Sequence, residues 1–179
     1  DLAKRAALPL PYASAGIGSL SHVAMERLRR VAGLGLLHVP YRGSPQAVAG
    51  AVAGDVAAVF AGSQVLGFVQ AGRLRPLAVN GPSRYKVLPD VPSIAEYFPG
   101  LEVTAWQGLF APPGVARKIL LALDKETADI VRSKEFADVA ATQGAEAEHI
   151  GIDQFAAFVR KDHARWKQII DKNQIRGDS

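Results

Sequence analysis

Short apolar segments alternate with stretches of helical periodicity through the first half of the chain, and this alternation constrains the fold more than any other feature. Ser44 followed by Pro45 is typical of a helix amino terminus, whereas Gly33 and Gly54 stand where carboxyl-terminal caps are expected. The pattern predicts parallel strands joined by crossover helices, which is an α/β sheet. The predicted strands are 9–13, 36–39, 56–60 and 75–79, and the predicted helices between them are 19–31, 45–53 and 64–71.

The sequence becomes irregular after Asn80. Proline and glycine recur as far as Gly114, with one further predicted strand at 102–106. Beyond that point the periodicity predicts helices alone. A helix buries its apolar stripe against a partner, so we expect these helices to pack on another domain or on a segment outside this chain. They are predicted over residues 115–133, 136–142 and 153–172.

The composition excludes several classes of function. Cysteine is absent from the 179 residues, which removes disulfides, thiolate metal sites and a cysteine nucleophile. The histidines, His22, His38, His149 and His163, lack a short ligand spacing, so we expect no metal site. The formal net charge of +4 is spread along the chain, without the basic cluster that is typical of nucleic-acid binding.

The amino-terminal residues 1–5 have neither the n-region nor the apolar h-region of a signal peptide, and the chain does not begin with Met. No apolar run has the length of a membrane span. We therefore expect a chain that is processed or cut from a longer one.

Residues 12–22 are the richest segment for binding chemistry, and they join the first predicted strand to the first predicted helix. Gly16 and Gly18 let a ligand approach the unpaired N–H groups of the first helical turn, at the positive end of the helix dipole. The hydroxyls available there are those of Ser14, Ser19 and Ser21. Such a turn can bind a carboxylate or a phosphate. The alternative is a purely structural turn with a serine N-cap.

Two catalytic alternatives fit this segment less well. The Gly-x-Gly at 16–18 matches the start of a dinucleotide fingerprint, but Ser21 stands at the third position and no acidic residue ends the next strand. A nucleophilic Ser14 or Ser19 would require a Gly-x-Ser-x-Gly pentapeptide, which does not occur. His22 lies one turn from Ser19, yet no carboxylate is placed to orient it. We expect no cofactor.

Two further strand-to-helix loops are predicted at the same edge of the sheet, where ligands of open α/β sheets bind. The loop at 40–45 contains Tyr41, a candidate pocket wall, and Arg42, which either attracts an anion or faces solvent. The third loop begins at Ala61.

Five phrases of the sequence resemble, in order, the receptors of tripartite tricarboxylate transporters, the Bug or TctC-like solute-binding proteins. The phrases are YASAGIGSLSH at 12–22, HVPYRGS at 38–44, GRLRPLAV at 72–79, LPDVPSIAE at 88–96 and WQGLFAPPG at 106–114. The resemblance covers nearly the whole chain. It implies a periplasmic binding protein-like, type II-like α/β fold of two domains, with the ligand between them.

The resemblance also implies how the chain is divided. Residues 1–105 correspond to a complete second α/β domain with crossover strands at its ends, and residues 106–179 to the carboxyl-terminal helices that complete the first domain. The chain would then be an N-terminally truncated member of the family. Because its domain-one helices would expose apolar faces, we expect either self-association through them or a folded second domain with loosely docked helices.

Within the turn, the resemblance implies that the backbone amides of Gly18 and Ser19, with the Ser19 hydroxyl, hold one carboxylate of the ligand. The same turn includes Ser14, Gly16, Ser21 and His22, which would shape or support it. Residues Tyr41 to Gly43 would line the cleft. Ala61 stands where many members have Asp, which disfavours a ligand whose amino or hydroxyl group needs a carboxylate partner.

The implied function is that of a periplasmic receptor for a small organic carboxylate, delivered to membrane transporter subunits. No catalysis, cofactor, metal or nucleic acid is expected. Two alternatives stay open at this point. One is an extracytoplasmic sensing component that presents its ligand to a signalling partner, and the other is an α/β hydrolase-like enzyme that uses Ser14 or Ser19.

Overall fold

In the part of the chain that the structure describes, three parallel strands form one sheet, and the strand at Leu10–Ser14 lies between the other two. In the computed structural model, which describes residues 7–143 and 145–173, the strands are β1 (Leu10–Ser14), β2 (Leu36–Pro40) and β3 (Ala58–Val59). β1 pairs with β2 along its full length, with Tyr12 beside His38 at the centre. The pairing with β3 is shorter and sets Tyr12 beside Ala58. The predicted α/β class with parallel strands is confirmed.

Helices and 3₁₀ turns make up most of the remaining regular structure. The helices are α1 (Leu20–Ala32), α2 (Ser44–Ala53), α3 (Leu66–Gln70), α4 (Arg117–Arg132), α5 (Lys134–Thr142) and α6 (Ile152–Asn173). α1 crosses from β1 to β2, and α2 crosses from β2 to β3. A 3₁₀ turn at Ser63–Val65 leads into α3, and another at Ile94–Glu96 interrupts the irregular region. All six helices lie close to their predicted bounds.

Capping residues fix the ends of the first two helices. Ser19 caps α1, because its hydroxyl accepts a hydrogen bond from the backbone N–H of His22 at 3.3 Å. Pro45 lies in the first turn of α2, where a helix needs no N–H. Gly33 and Gly54 end α1 and α2 in the left-handed conformation, with φ of 61° and 87°. These residues therefore set where the chain turns back toward the sheet.

Small side chains bring α2 close to the sheet. Ala13 of β1, Ala47 of α2 and Val56 form a buried cluster. The side chains packed around this cluster are those of Val39, Tyr41, Ala51 and Val59. Burial of apolar surface contributes about 25 cal/mol per Å². The packing of this cluster therefore stabilises the contact between α2 and the sheet.

The predicted strand at 75–79 does not form a ladder. Its contribution is one parallel bridge between Val79 and Ser93. Pro76 lies within the segment and lacks the N–H that a ladder needs. β3 is likewise shorter than the predicted 56–60. The prediction at 75–79 was wrong because apolar character does not by itself supply a pairing partner.

Residues 102–106 were also predicted as a strand and are irregular. Val103 is buried and donates its N–H to the carbonyl of Asn80 at 2.9 Å. The Asn80 side chain returns a hydrogen bond to the Val103 carbonyl at 2.6 Å and accepts one from the Tyr85 hydroxyl at 2.8 Å. A side-chain amide thus takes the place of the second strand that a ladder would require.

The chain divides into two compact units, one made of residues up to Thr104 together with those from Ile170 onward, and the other of Ala105–Ile169. The first unit contains the sheet. In the second, the Trp106 ring meets Phe155 and Phe158 edge-on, with centroids 5.5 and 5.3 Å apart. The assignment of residues 106–179 to helices that complete another α/β domain stays a prediction.

Candidate functional site

The three predicted loops lie together where the parallel strands end. The N–H of Tyr41, just after β2, donates to the carbonyl of Ser14 at the end of β1, at 3.1 Å. A Cβ atom on Gly16 would come within 3.4 Å of the Tyr41 carbonyl oxygen. In the third loop, the Gln64 amide donates to the Ser44 hydroxyl at 2.6 Å. The first loop therefore contacts the second, and the third contacts the start of α2.

The glycine turn between β1 and α1 depends on two positive φ angles. Gly16 has a φ of 124° and Gly18 a φ of 74°, both in the region that favours glycine. The Gly16 carbonyl accepts hydrogen bonds from the Ser19 hydroxyl at 2.6 Å and from the Ser19 N–H at 3.2 Å. This closes the turn immediately before the helix begins.

Two buried serines tie the turn to its own backbone. Ser14 is fully buried, and its hydroxyl accepts a hydrogen bond from the Gly16 N–H at 3.2 Å. The Ser21 hydroxyl accepts one from the Ala15 N–H at 3.0 Å and lies 3.0 Å from the Ser19 hydroxyl. Both serines therefore fix the shape of the turn. A fully buried Ser14 hydroxyl is also poorly placed to attack a substrate.

The donors expected to hold a carboxylate already have partners inside the turn. The Gly18 N–H donates to Nδ1 of His22 at 3.1 Å, and the Ser19 N–H donates to Gly16. The N–H groups of Leu20 and Ser21 are different, because the first turn of a helix supplies them with no intrahelical acceptor. At the amino end of α1, Leu20 and Ser21 are thus the residues whose N–H groups the helix itself leaves without an acceptor.

His38 is a member of this site that the sequence did not reveal. Its Nε2 atom lies 2.6 Å from the Ser14 hydroxyl. Its ring stacks on that of His22, with centroids 4.0 Å apart and an angle of 11° between the planes. The His38 ring also stacks on that of Tyr12, with centroids 5.1 Å apart. No local pattern in the sequence predicts this contact. It follows from the pairing register of β1 and β2, which sets Tyr12 beside His38.

The carboxylate of Glu26 is hydrogen-bonded to Tyr12, one of the stacked rings. Glu26 of α1 accepts hydrogen bonds from the Tyr12 hydroxyl at 2.9 Å and from the Arg29 guanidinium at 2.8 Å. Partial burial alone would raise the pKa of Glu26, but the hydrogen bonds from Arg29 and Tyr12 outweigh burial, with a smaller contribution from His22, and lower it. Glu26 is therefore ionised at neutral pH.

Four residues named from the sequence as candidates for the site lie in the second and third loops. Tyr41 is half-buried against the core cluster, over Gly50 of α2, where any Cβ atom would collide with its ring. Arg42 is exposed. Gly43, with a φ of 113°, caps α2 without a side-chain hydrogen bond, and Ala61 is partly buried after β3. Tyr41 thus serves packing first, and Arg42 faces solvent.

The loops carry little charge. Across residues 15–19, 41–43 and 60–62, Arg42 is the single charged side chain, and no Asp or Glu occurs. Among the described residues, no group of His, Asp and Glu side chains could hold a metal ion. In the same part of the chain, no helix has both the length and the apolar character needed to cross a bilayer.

Comparison of the sequence with known families gives one match over almost the whole chain. The model of the tripartite tricarboxylate transporter family receptor matches residues 2–175. A protein encoded in the tcbD-tcbE intergenic region of Pseudomonas sp. strain P51 is 34% identical over 164 residues, which are 90% of this chain and 49% of that protein. The chain therefore spans about half the length of this relative.

Solved structures give the same result for the fold. Rpa4515 of R. palustris, solved with adipate, superposes with a TM-score of 0.88 at 26% identity, over 97% of this chain and 58% of that one. The periplasmic binding protein BugD superposes with a TM-score of 0.86 at 25% identity, over 98% of this chain and 60% of that one. The predicted periplasmic binding protein-like fold is thereby confirmed.

Proposed function

Because this chain belongs to the tripartite tricarboxylate transporter receptor family, we propose that it acts as a periplasmic receptor that binds a small mono- or dicarboxylate for delivery to membrane transporter subunits. Membership of a receptor family confirms the expectation of a binding protein rather than an enzyme. The ligand class is supported by the adipate complex of Rpa4515, and the periplasmic location by the likeness to BugD.

The observation that carries the proposal is the amino end of α1 at the carboxyl edge of the sheet. A ligand carboxylate binds there to the N–H groups of Leu20 and Ser21, which have no acceptor within the helix. The N–H groups of Gly18 and Ser19 donate within the turn, so these two residues fix the shape of the site and leave ligand binding to Leu20 and Ser21. The proposed site consists of Ser14, Gly16, Gly18, Ser19, Ser21 and His22, bordered by Tyr41, Gly43 and Ala61.

The charge of the three loops supports an anionic ligand without an ammonium group. Arg42 is their single charged side chain, and Ala61 stands where, by the family resemblance, many members have an Asp that could pair with a cation. The dipole of α1 adds partial positive charge at its amino end. This edge of the sheet therefore suits a plain carboxylate better than an amino acid.

A proline substitution tests the proposed contact directly. Leu20 is the first residue of α1, a position that accepts proline, and Ser19 before it is extended with ψ of 159°, as a residue before proline must be. Leu20→Pro therefore removes one N–H and keeps the helix. We expect calorimetric titration with adipate to show binding weakened about tenfold, as for loss of a hydrogen bond to a charged group.

Leu20→Ala is the matched control, because it shortens the same side chain and keeps the N–H. The wild-type protein, expressed from its complete gene, is titrated in parallel with citrate, aspartate, glutamate, adipate and aromatic carboxylates. Titrations without heat across that whole panel would refute the receptor function. Equal affinities of Leu20→Pro and Leu20→Ala for adipate would refute the contact with the Leu20 N–H but not the receptor function.

A further inference from the structure

The two stacked histidines, His22 and His38, are both hydrogen-bonded to the glycine turn. His22 is 7% exposed and its ring lies parallel to that of His38, with centroids 4.0 Å apart. One ring comes from the first turn of α1 and the other from the middle of β2. The stack therefore joins the helix that begins the proposed site to the strand beside it.

Each ring holds one end of the turn. Nε2 of His38 lies 2.6 Å from the hydroxyl of Ser14, where the turn begins. Nδ1 of His22 accepts the hydrogen bond from the N–H of Gly18, just before the helix. A ring nitrogen that accepts from an N–H carries no proton itself. The arrangement thus needs a His22 ring that is neutral, with its proton on Nε2.

We propose that His22 is a positioning residue of the carboxylate site: its neutral ring holds Gly18 in place, and protonation of the ring releases the turn and weakens carboxylate binding in acid. This inference rests on the proposed function, since it concerns the same site. A proton on Nδ1 would face the Gly18 N–H across 3.1 Å, so that two donors would meet and the turn would have to move.

The charged and titratable groups around His22 lie on α1, β1 and β2. Glu26 on α1 is ionised and favours the imidazolium, whereas the burial of His22, the charge of Arg29 on α1 and a protonated His38 on β2 oppose it. Tyr12 on β1 stays neutral, because burial and its hydrogen bond to Glu26 raise its pKa well above the ordinary value.

An added positive charge would by itself attract a carboxylate, so the two effects of acid have opposite signs. The geometric effect decides, because the imidazolium removes the acceptor that fixes Gly18 at its φ of 74°. Leu20 and Ser21 stand two and three residues after Gly18, so their N–H donors lose their position when Gly18 moves. Acid should therefore weaken binding.

His22→Asn provides the test. Its carboxamide oxygen can stand where Nδ1 stands and accept from Gly18, but it does not titrate. Adipate affinity is measured calorimetrically from about pH 8 to about pH 5. We expect the wild type to lose about tenfold in affinity relative to the variant across that range. His163→Asn, at an exposed position on α6, is the control and should follow the wild type.

A measurement without ligand separates this inference from the proposed function. In ¹⁵N NMR of the wild type, the Gly18 amide and the His22 ring nitrogens should shift with one common midpoint. A Gly18 amide that is insensitive to His22 titration would overturn the inference even if adipate binds. So would an affinity that rises in acid, or equal pH profiles for the wild type and His22→Asn. Coupled shifts without any carboxylate binding would support the positioning role and refute the receptor.

Discussion

At the scale of single residues, Tyr12 connects the core to the charged face of α1. Its ring is fully buried, and its hydroxyl donates to Oε1 of Glu26 at 2.9 Å. Glu26 in turn accepts two hydrogen bonds from Nε and Nη2 of Arg29 on its second oxygen, at 3.0 and 2.8 Å. Removing the Tyr12 hydroxyl would leave a partly buried carboxylate with one partner fewer.

We predict that Tyr12→Phe lowers the free energy of unfolding by about 2 kcal/mol, the usual effect of losing a hydrogen bond to a charged group. Urea unfolding followed by circular dichroism measures it. Tyr97→Phe removes a hydroxyl from a side chain that is 64% exposed and should change stability little. An equal change in both variants would contradict the prediction.

Local chemistry was predictable for the residues of the turn, and distant contacts were not. Ser19 as a helix cap and Gly16 and Gly18 as turn residues follow from glycine and serine preferences within a few positions. The His22–His38 stack joins residues on two elements, and it follows only when β1 is known to pair with β2 in the observed register. Periodicity gives the existence of a strand but not its partner.

At the scale of elements, Asp162 attaches the segment around Trp106 to α6. This carboxylate is 8% exposed. Its Oδ2 atom accepts from the indole N–H groups of Trp106 at 2.9 Å and Trp166 at 3.2 Å, and its Oδ1 atom accepts from Arg165 at 3.0 Å. One side chain thereby satisfies both indole donors of the protein.

Asp162→Ala should destabilise the second unit by about 2 kcal/mol, because it leaves the indole N–H groups of Trp106 and Trp166 without their shared charged acceptor. Tryptophan fluorescence during denaturant unfolding reports the change, since both indoles lose the same partner. Asp129→Ala, at an exposed position on α4, is the matched control. A midpoint of unfolding that is unchanged in Asp162→Ala would show that the aromatic cluster holds the segment alone.

Helices were easier to predict than strands, for a physical reason. The hydrogen bonds of a helix lie within its own segment, so Ser19, Gly33 and Pro45 define its ends locally. A strand needs a partner from elsewhere in the chain. Residues 75–79 and 102–106 have strand-like composition, but Val79 finds a single bridge and Val103 pairs with Asn80 alone.

At the scale of the whole molecule, the second unit exposes large apolar side chains. Phe110 is 65% exposed and Ile130 is 57% exposed. Other apolar side chains of that unit with substantial exposure are those of Leu109, Ile119, Leu121, Leu123, Phe136 and Val139. An accumulation of this kind is typical of a surface that another protein surface covers. The predicted self-association through these helices stays a prediction.

We expect this chain, by itself, to associate with rising concentration, and we expect Ile130→Lys to reduce the association by placing a charge in the apolar surface. Light scattering at several protein concentrations measures the mass. Glu126→Lys, which changes charge on the same helix without removing an apolar group, is the control. A wild-type mass equal to the monomer at every concentration would contradict the prediction.

The order of the strands has a consequence for how the protein is made. β1 is synthesised before both of its partners, yet it lies between them, and its second edge is covered by β3, which ends at Val59. Ribosomes add about 5–20 residues per second, so this edge of the nascent strand stays open for roughly a few seconds. An open strand edge invites pairing with other chains. During that interval β1 has to stay free of other chains until its own partners, β2 and β3, have been synthesised.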